Sequence, residues 1–115
     1  LAARDEMFKP DYDYREFRHV VLPNKLEVIL ISDPRAEISG ASLSVGVGSY
    51  QEDPLIPGIA HLHEHMLFLG SKRYPNRTDF IKLTQKGGGD FNAFTSGTET
   101  NYHYRVGKTD LDESL

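Results

Sequence analysis

The chain has 115 residues, with 13 Lys and Arg against 17 Asp and Glu and a formal net charge of −4; it is the size of one modest domain and shows no basic stripe for nucleic acid. It contains no cysteine, which excludes disulfides and thiolate ligands and leaves His, Asp and Glu as metal donors. No apolar run nears the ~20 residues that span a bilayer, so neither nucleic acid nor membrane is expected as a partner.

Residues 1–14 are charged and tyrosine-rich without clear periodicity, and they read as an arm. The start LAARDEMFKP has no initiator Met and no signal-peptide core, while TDLDESL at the other end reads as a helix beginning. The chain is therefore expected to be a piece of something longer. Its compartment stays open, with the cytoplasm as the default expectation.

FRHVVL (17–22) and LEVILIS (26–32) are β-branched runs joined by PNK, a hairpin signal. Only Glu27 is polar in the alternating part of the second run, so that strand is expected to be buried on both faces. ISGASLSVGVGS (38–49) sets Ala41, Leu43, Val45 and Val47 on one face and Ser42, Ser44 and Gly46 on the other. It predicts a third strand with one face against the core.

After the loop YQEDPLIPG, a helix is expected over 56–69, ended by Gly70. RTDFIKLTQK (77–86) predicts a second helix, capped by Thr78 or Asn76, with Phe80, Ile81 and Leu83 inward, stopping at Gly87, Gly88 and Gly89. Asp90 follows those glycines where a phosphate loop would have a Lys-Ser or Lys-Thr pair. DFNAFTS (90–96) and TNYHYRV (100–106) read as a strand pair across a turn at Gly97, with Tyr102, Tyr104 and Val106 on one face. Strands grouped before and after helices predict an α+β fold, a mainly antiparallel sheet with helices packed on one face.

The first helix carries the chemistry. GIAHLHEHMLFLG (58–70) sets three histidines and a glutamate within five positions. At about 100° per residue, His61 and His65 lie about 40° apart, an offset at which two imidazoles can converge on one ion. Glu64 lies about 60° to the other side of His61, and Phe68 continues the same face. His63 points about 160° from His65 and reads as a solvated or core histidine. Leu62, Met66 and Leu69 fall on the opposite side, as a core stripe would. The ordered trio His61, Glu64, His65 is H-x-x-E-H, the inverzincin signature.

GIAHLHEHMLFLGSKRYP and GGGDFNAFTSGTETNYHY together resemble the N-terminal catalytic domain of the pitrilysin-type peptidases, and most of all their insulysin branch. The upstream LEVILISDPRAEISGASLSVGVGSYQEDPLIPG is similar to that family's opening strands, so the resemblance spans roughly residues 17–106. It implies a zinc metalloendopeptidase segment, with residues 1–16 an N-terminal arm and 17–115 an incomplete portion of the catalytic domain. His61 and His65 would bind Zn2+, and Glu64 would be the general base that activates water. Phe68 would line the pocket beside the scissile bond. Asn92 and Ala93, on an edge strand, would hold an extended peptide by β-augmentation.

In that family the third zinc ligand is a glutamate on a later helix, and 50 residues follow His65 here. None of Asp90, Glu99, His103 or Glu113 matches that position. The branch often has Cys where this chain has His63. The expected partners are a peptide or unfolded polypeptide substrate, the remainder of the parent peptidase and, through an uncovered apolar face, a second copy of the segment. Two alternatives stand beside this: a non-catalytic peptide-binding or assembly subunit on the same fold, or a fragment inactive for want of the third ligand.

Overall fold

β-Branched and aromatic residues favour the pleated backbone, and the first three strands form where such residues concentrate. β1 (Ala2–Arg4), β2 (Glu16–Val21) and β3 (Glu27–Ser32) make an antiparallel sheet in the order β1-β2-β3. The computed structural model describes residues 2–4 and 7–115, and these fall into two compact units, 1–36 and 37–115. In the first unit, Lys25 takes a positive φ of 68° in the β2–β3 turn, and Asn24 Oδ1 accepts from the Leu26 amide at 3.1 Å.

Two expectations for this unit change. Ala2–Arg4, read as irregular, pairs as a strand with residues 19–21 of β2. β3 is not buried on both faces: Ile29, Leu30 and Ile31 are exposed. The unit's described residues are strands and turns, with no helix to cover a sheet face.

The second unit runs β4 (Ile38–Val45), a short 3-10 turn (Ser49–Gln51), α1 (Ile59–Leu67), α2 (Asp79–Lys86), β5 (Phe91–Thr95), β6 (Thr100–Gly107) and α3 (Leu111–Ser114). Its sheet has the order β4-β6-β5, all antiparallel, so β6 is central and β5 stands at an edge. Register sets Ala41 and Phe91 beside Tyr104, and Leu43 and Ala93 beside Tyr102. With a period of two these residues share one face, and α1 and α2 lie on it. The fold is α+β, with both longer helices on the face expected for them.

Aromatic rings join the helices to the sheet. Phe68 lies 4.6 Å from Phe91, 5.9 Å from Phe80 and 6.1 Å from Tyr102, and Phe80 meets Tyr104 edge-on at 5.2 Å. Val106 is fully buried. The triple glycine lets backbone meet backbone: a Cβ on Gly89 would lie 1.9 Å from the Arg105 carbonyl oxygen, and one on Gly87 would lie 2.2 Å from the Gly107 nitrogen.

The first helix is shorter than its periodicity predicts. Gly58 holds φ at +88°, a left-handed conformation that starts the helix at Ile59 rather than Ile56. It ends at Leu67, and Gly70, at φ +124°, lies in the following turn. Its facing also differs. The expected core stripe is exposed, Leu62 at 58% and Met66 at 57%, with Leu69 exposed too. Ala60, Glu64 and Phe68, spaced four apart, are the residues of this stretch that lose exposure.

Candidate metal centre

α1 has no Ser, Thr, Asp or Asn at its start, and its first amides need an outside acceptor. Glu52 supplies it from the preceding loop. One carboxylate oxygen accepts from the Gly58 amide at 2.7 Å and the other from the Ala60 amide at 2.8 Å. A negative charge there also suits the positive end of the helix. This fixes the turn that carries His61.

His61 and His65, one turn apart, bring their Nε2 atoms to 2.9 Å, with ring centroids 4.7 Å apart. Both rings are solvent-exposed, whereas Glu64 is 6% exposed. One ligand atom from each of the three lies within 4.8 Å of the others. Two nitrogens 2.9 Å apart can share an ion held about 2.0–2.1 Å from each. That requires both Nε2 atoms to be unprotonated and directed at the same point. The donor set suits zinc.

Glu64 is held from the sheet. Thr95 Oγ1, at the end of β5, donates to Glu64 Oε2 at 2.7 Å. Nearby, burial first and then the Glu64 carboxylate push the Tyr102 phenol above its ordinary value. Tyr102 Oη lies 3.3 Å from His63 Nδ1, so His63 faces the sheet's tyrosine and not the histidine pair.

β5 also provides the open edge. Arg105 donates its amide to the Asp90 carbonyl at 2.7 Å. Antiparallel alternation from that bond turns the backbone groups of Phe91, Ala93 and Thr95 away from β6, toward the edge with no strand partner among the described residues. The Ala93 amide is met there by Asn92 Oδ1 at 2.8 Å.

The expected site residues fall into two groups. His61, Glu64 and His65 converge, and Asn92 and Ala93 lie on the edge strand whose last residue touches Glu64. Phe68 is half-buried among Phe80, Phe91 and Tyr102. Asp90 pairs with Arg105, and His103 Nδ1 lies 2.8 Å from Asn101 Oδ1. Neither belongs to the three-residue cluster, nor do Glu99 and Glu113. Sequence reasoning missed Glu52 and Thr95. A helix start without its own cap, preceded by an acidic loop, was a signal for Glu52; for Thr95 the signal was a polar residue on the inward parity of β5.

The class that the fold and site define is an α+β domain with a candidate metal cluster, two histidines and a carboxylate on one helix, beside a strand edge that has no partner among the described residues. The family model "Insulinase (Peptidase family M16)" matches residues 27–115, and the chain belongs to this family, in which it corresponds to the N-terminal part of an insulysin-like member. It is 46% identical over 110 residues to "Insulin-degrading enzyme-like 1, peroxisomal" of Arabidopsis thaliana, covering 96% of this chain and 11% of that protein. It is 43% identical over 111 residues to the mouse (Mus musculus) "Insulin-degrading enzyme", with the same two coverages. The crystal structure of pitrilysin superposes with a TM-score of 0.88 at 33% identity, over 96% of this chain and 12% of that one. The chain thus spans about a tenth of the length of the relatives it matches.

Proposed function

We propose that this chain is part of a zinc-dependent endopeptidase that hydrolyses peptides and partly unfolded polypeptides, with residues 17–115 forming an N-terminal portion of its catalytic domain. The observation that carries this is the convergence of His61 and His65 Nε2 beside the buried Glu64, next to a strand edge with no partner among the described residues. His61 and His65 would hold the ion, and a third protein ligand would come from another part of the parent. Bound zinc would lower the pKa of its water to about 7 and polarise the scissile carbonyl.

Glu64 would take the proton of the attacking water and return it to the leaving amine. Its position on the same helix turn as the two histidines suits a base that touches the water without occupying a ligand place. The outward backbone groups of Ala93 would pair with an extended substrate, with Asn92 beside it. Phe68 would act from behind, as a wall packed on Phe91.

The parent's remaining residues are the first partner of this segment, and the exposed outer face of α1 gives an isolated copy a route to self-association. No helix among the described residues is long and apolar enough to cross a membrane. The cytoplasm remains the proposed compartment, and a peroxisomal position, as in the name of one relative, is the fractionation result that would replace it.

The test uses the full-length polypeptide that carries this segment. Glu64→Gln is expected to lower peptide turnover by about 10²- to 10⁴-fold with zinc content unchanged, and His61→Ala to lose the zinc. Normal cleavage by Glu64→Gln would overturn the assignment. A wild-type protein that binds zinc and peptide without cutting would favour the non-catalytic subunit.

A further inference from the structure

We propose that Thr95 is the positioning residue for the base, an inference that rests on reading Glu64 as that base. The hydrogen bond from Thr95 Oγ1 to Glu64 Oε2, at 2.7 Å, crosses from β5 to α1. A glutamate side chain has three rotatable bonds, and in a residue only 6% exposed it has little water to hold it. The hydroxyl satisfies Oε2 and selects one rotamer. On this reading Oε1 would be the oxygen that handles the proton, held ready by the rotamer that the Oε2 bond selects.

Thr95 carries a second constraint. It shares its parity with Phe91 and Ala93, so its side chain reaches the helix face while its backbone faces the open edge. A peptide laid on that edge would be read by the backbone of the same strand whose last side chain fixes the base. Thr95 therefore ties the height of Glu64 to the register of the bound chain. A threonine serves well here, because its β-branch suits a strand end and its hydroxyl needs no long stem.

A purely structural role would make different demands. It would show as lost stability, lost zinc or a raised KM, and serine and valine would be judged by packing alone. A positioning role shows in kcat and follows the hydroxyl.

The experiment compares Thr95→Val, Thr95→Ser and Thr95→Ala with wild type in the full-length polypeptide, with Glu64→Gln as control. Thr95→Val keeps the β-branch and removes the donor, so kcat should fall by roughly 10- to 100-fold, with KM and zinc content within about twofold of wild type. Thr95→Ser should recover most of kcat, and Thr95→Ala should follow valine, which keeps the test open if valine disturbs folding. Crystals of the metal-free Thr95→Val protein should show Glu64 in more than one rotamer, a readout independent of turnover. If Thr95→Val retains kcat while Glu64→Gln is dead, the positioning role falls and the base stands. If all three variants lose zinc or stability together, Thr95 is structural and the proposal is overturned. If Glu64→Gln still cleaves, the base assignment itself fails.

Discussion

Replacing Phe68 by alanine separates two roles for that ring. Its neighbours are Phe91 at 4.6 Å, Phe80 at 5.9 Å and Tyr102 at 6.1 Å, so it joins α1 to α2 and to two strands. Truncating a core phenylalanine costs about 3–5 kcal/mol. Phe68 is half-buried, which brings the expected loss to about 2–3 kcal/mol, including the offset and tilted ring contacts that alanine forfeits. With a urea slope of about 2 kcal/mol/M, the unfolding midpoint should fall by roughly 1–1.5 M. Near-ultraviolet circular dichroism reports it directly, because Tyr102 and Tyr104 sit in the same ring cluster. Phe68→Leu, which keeps most of the apolar volume, should stay within about 1.5 kcal/mol of wild type. An unchanged midpoint together with a raised KM would refute the packing argument and leave the ring as a substrate contact alone.

The Arg105 guanidinium holds the Asp90 carboxyl below the ordinary 3.8, chiefly by hydrogen bonding. The pair's contribution is complete above the unfolded value and is lost as pH falls through the lower folded one. In Arg105→Gln the Asp90 midpoint followed by NMR should return toward 3.8, and no movement would contradict this cause. Gly89→Ala drives a Cβ to 1.9 Å from the Arg105 carbonyl oxygen; a loss of at least about 1–3 kcal/mol is expected by urea denaturation, and wild-type stability would show that the approach is not close. The isolated chain should sediment as a dimer or larger through the outer face of α1, and Leu62→Glu with Met66→Glu should restore the monomer. A native chain that stays monomeric at every concentration would rule that face out.

The parts legible in the sequence share a cause: they depend on local spacing. His61 and His65 converge because a helix sets residues four apart on one face, whatever lies around it. The β5–β6 pair formed around its turn for a similar reason, with alternation setting Tyr102, Tyr104 and Val106 inward. The rest was non-local. Glu52 caps a helix that begins seven residues later, and Thr95 meets a carboxylate 31 positions earlier in the chain. No periodicity links such pairs. Gly58 is intermediate: it sat inside an apolar pattern, and its left-handed backbone, not the pattern, decided where α1 starts.

The facing of α1 is the more instructive case. Its sequence offers two candidate inward faces, one of Leu62, Met66 and Leu69 and one of Ala60, Glu64 and Phe68. Hydropathy alone chooses the first. The sheet takes the second, because Ala60 is small enough for close approach, Phe68 finds three rings, and Glu64 finds the Thr95 hydroxyl. A buried carboxylate is tolerable only with such a partner, so the polar contact and the packing select the same face. The leucine and methionine face is then free for something else. A helix that is apolar on the side away from its own sheet has the composition of an element covered on both sides, and so has β3, whose Ile29, Leu30 and Ile31 are exposed as well. Both surfaces lie in a chain that spans about a tenth of its relatives' length. Hydropathy therefore leaves both surfaces uncovered among the described residues, whereas Glu64 is placed by the Thr95 hydroxyl together with the packing of Ala60 and Phe68 on the same sheet.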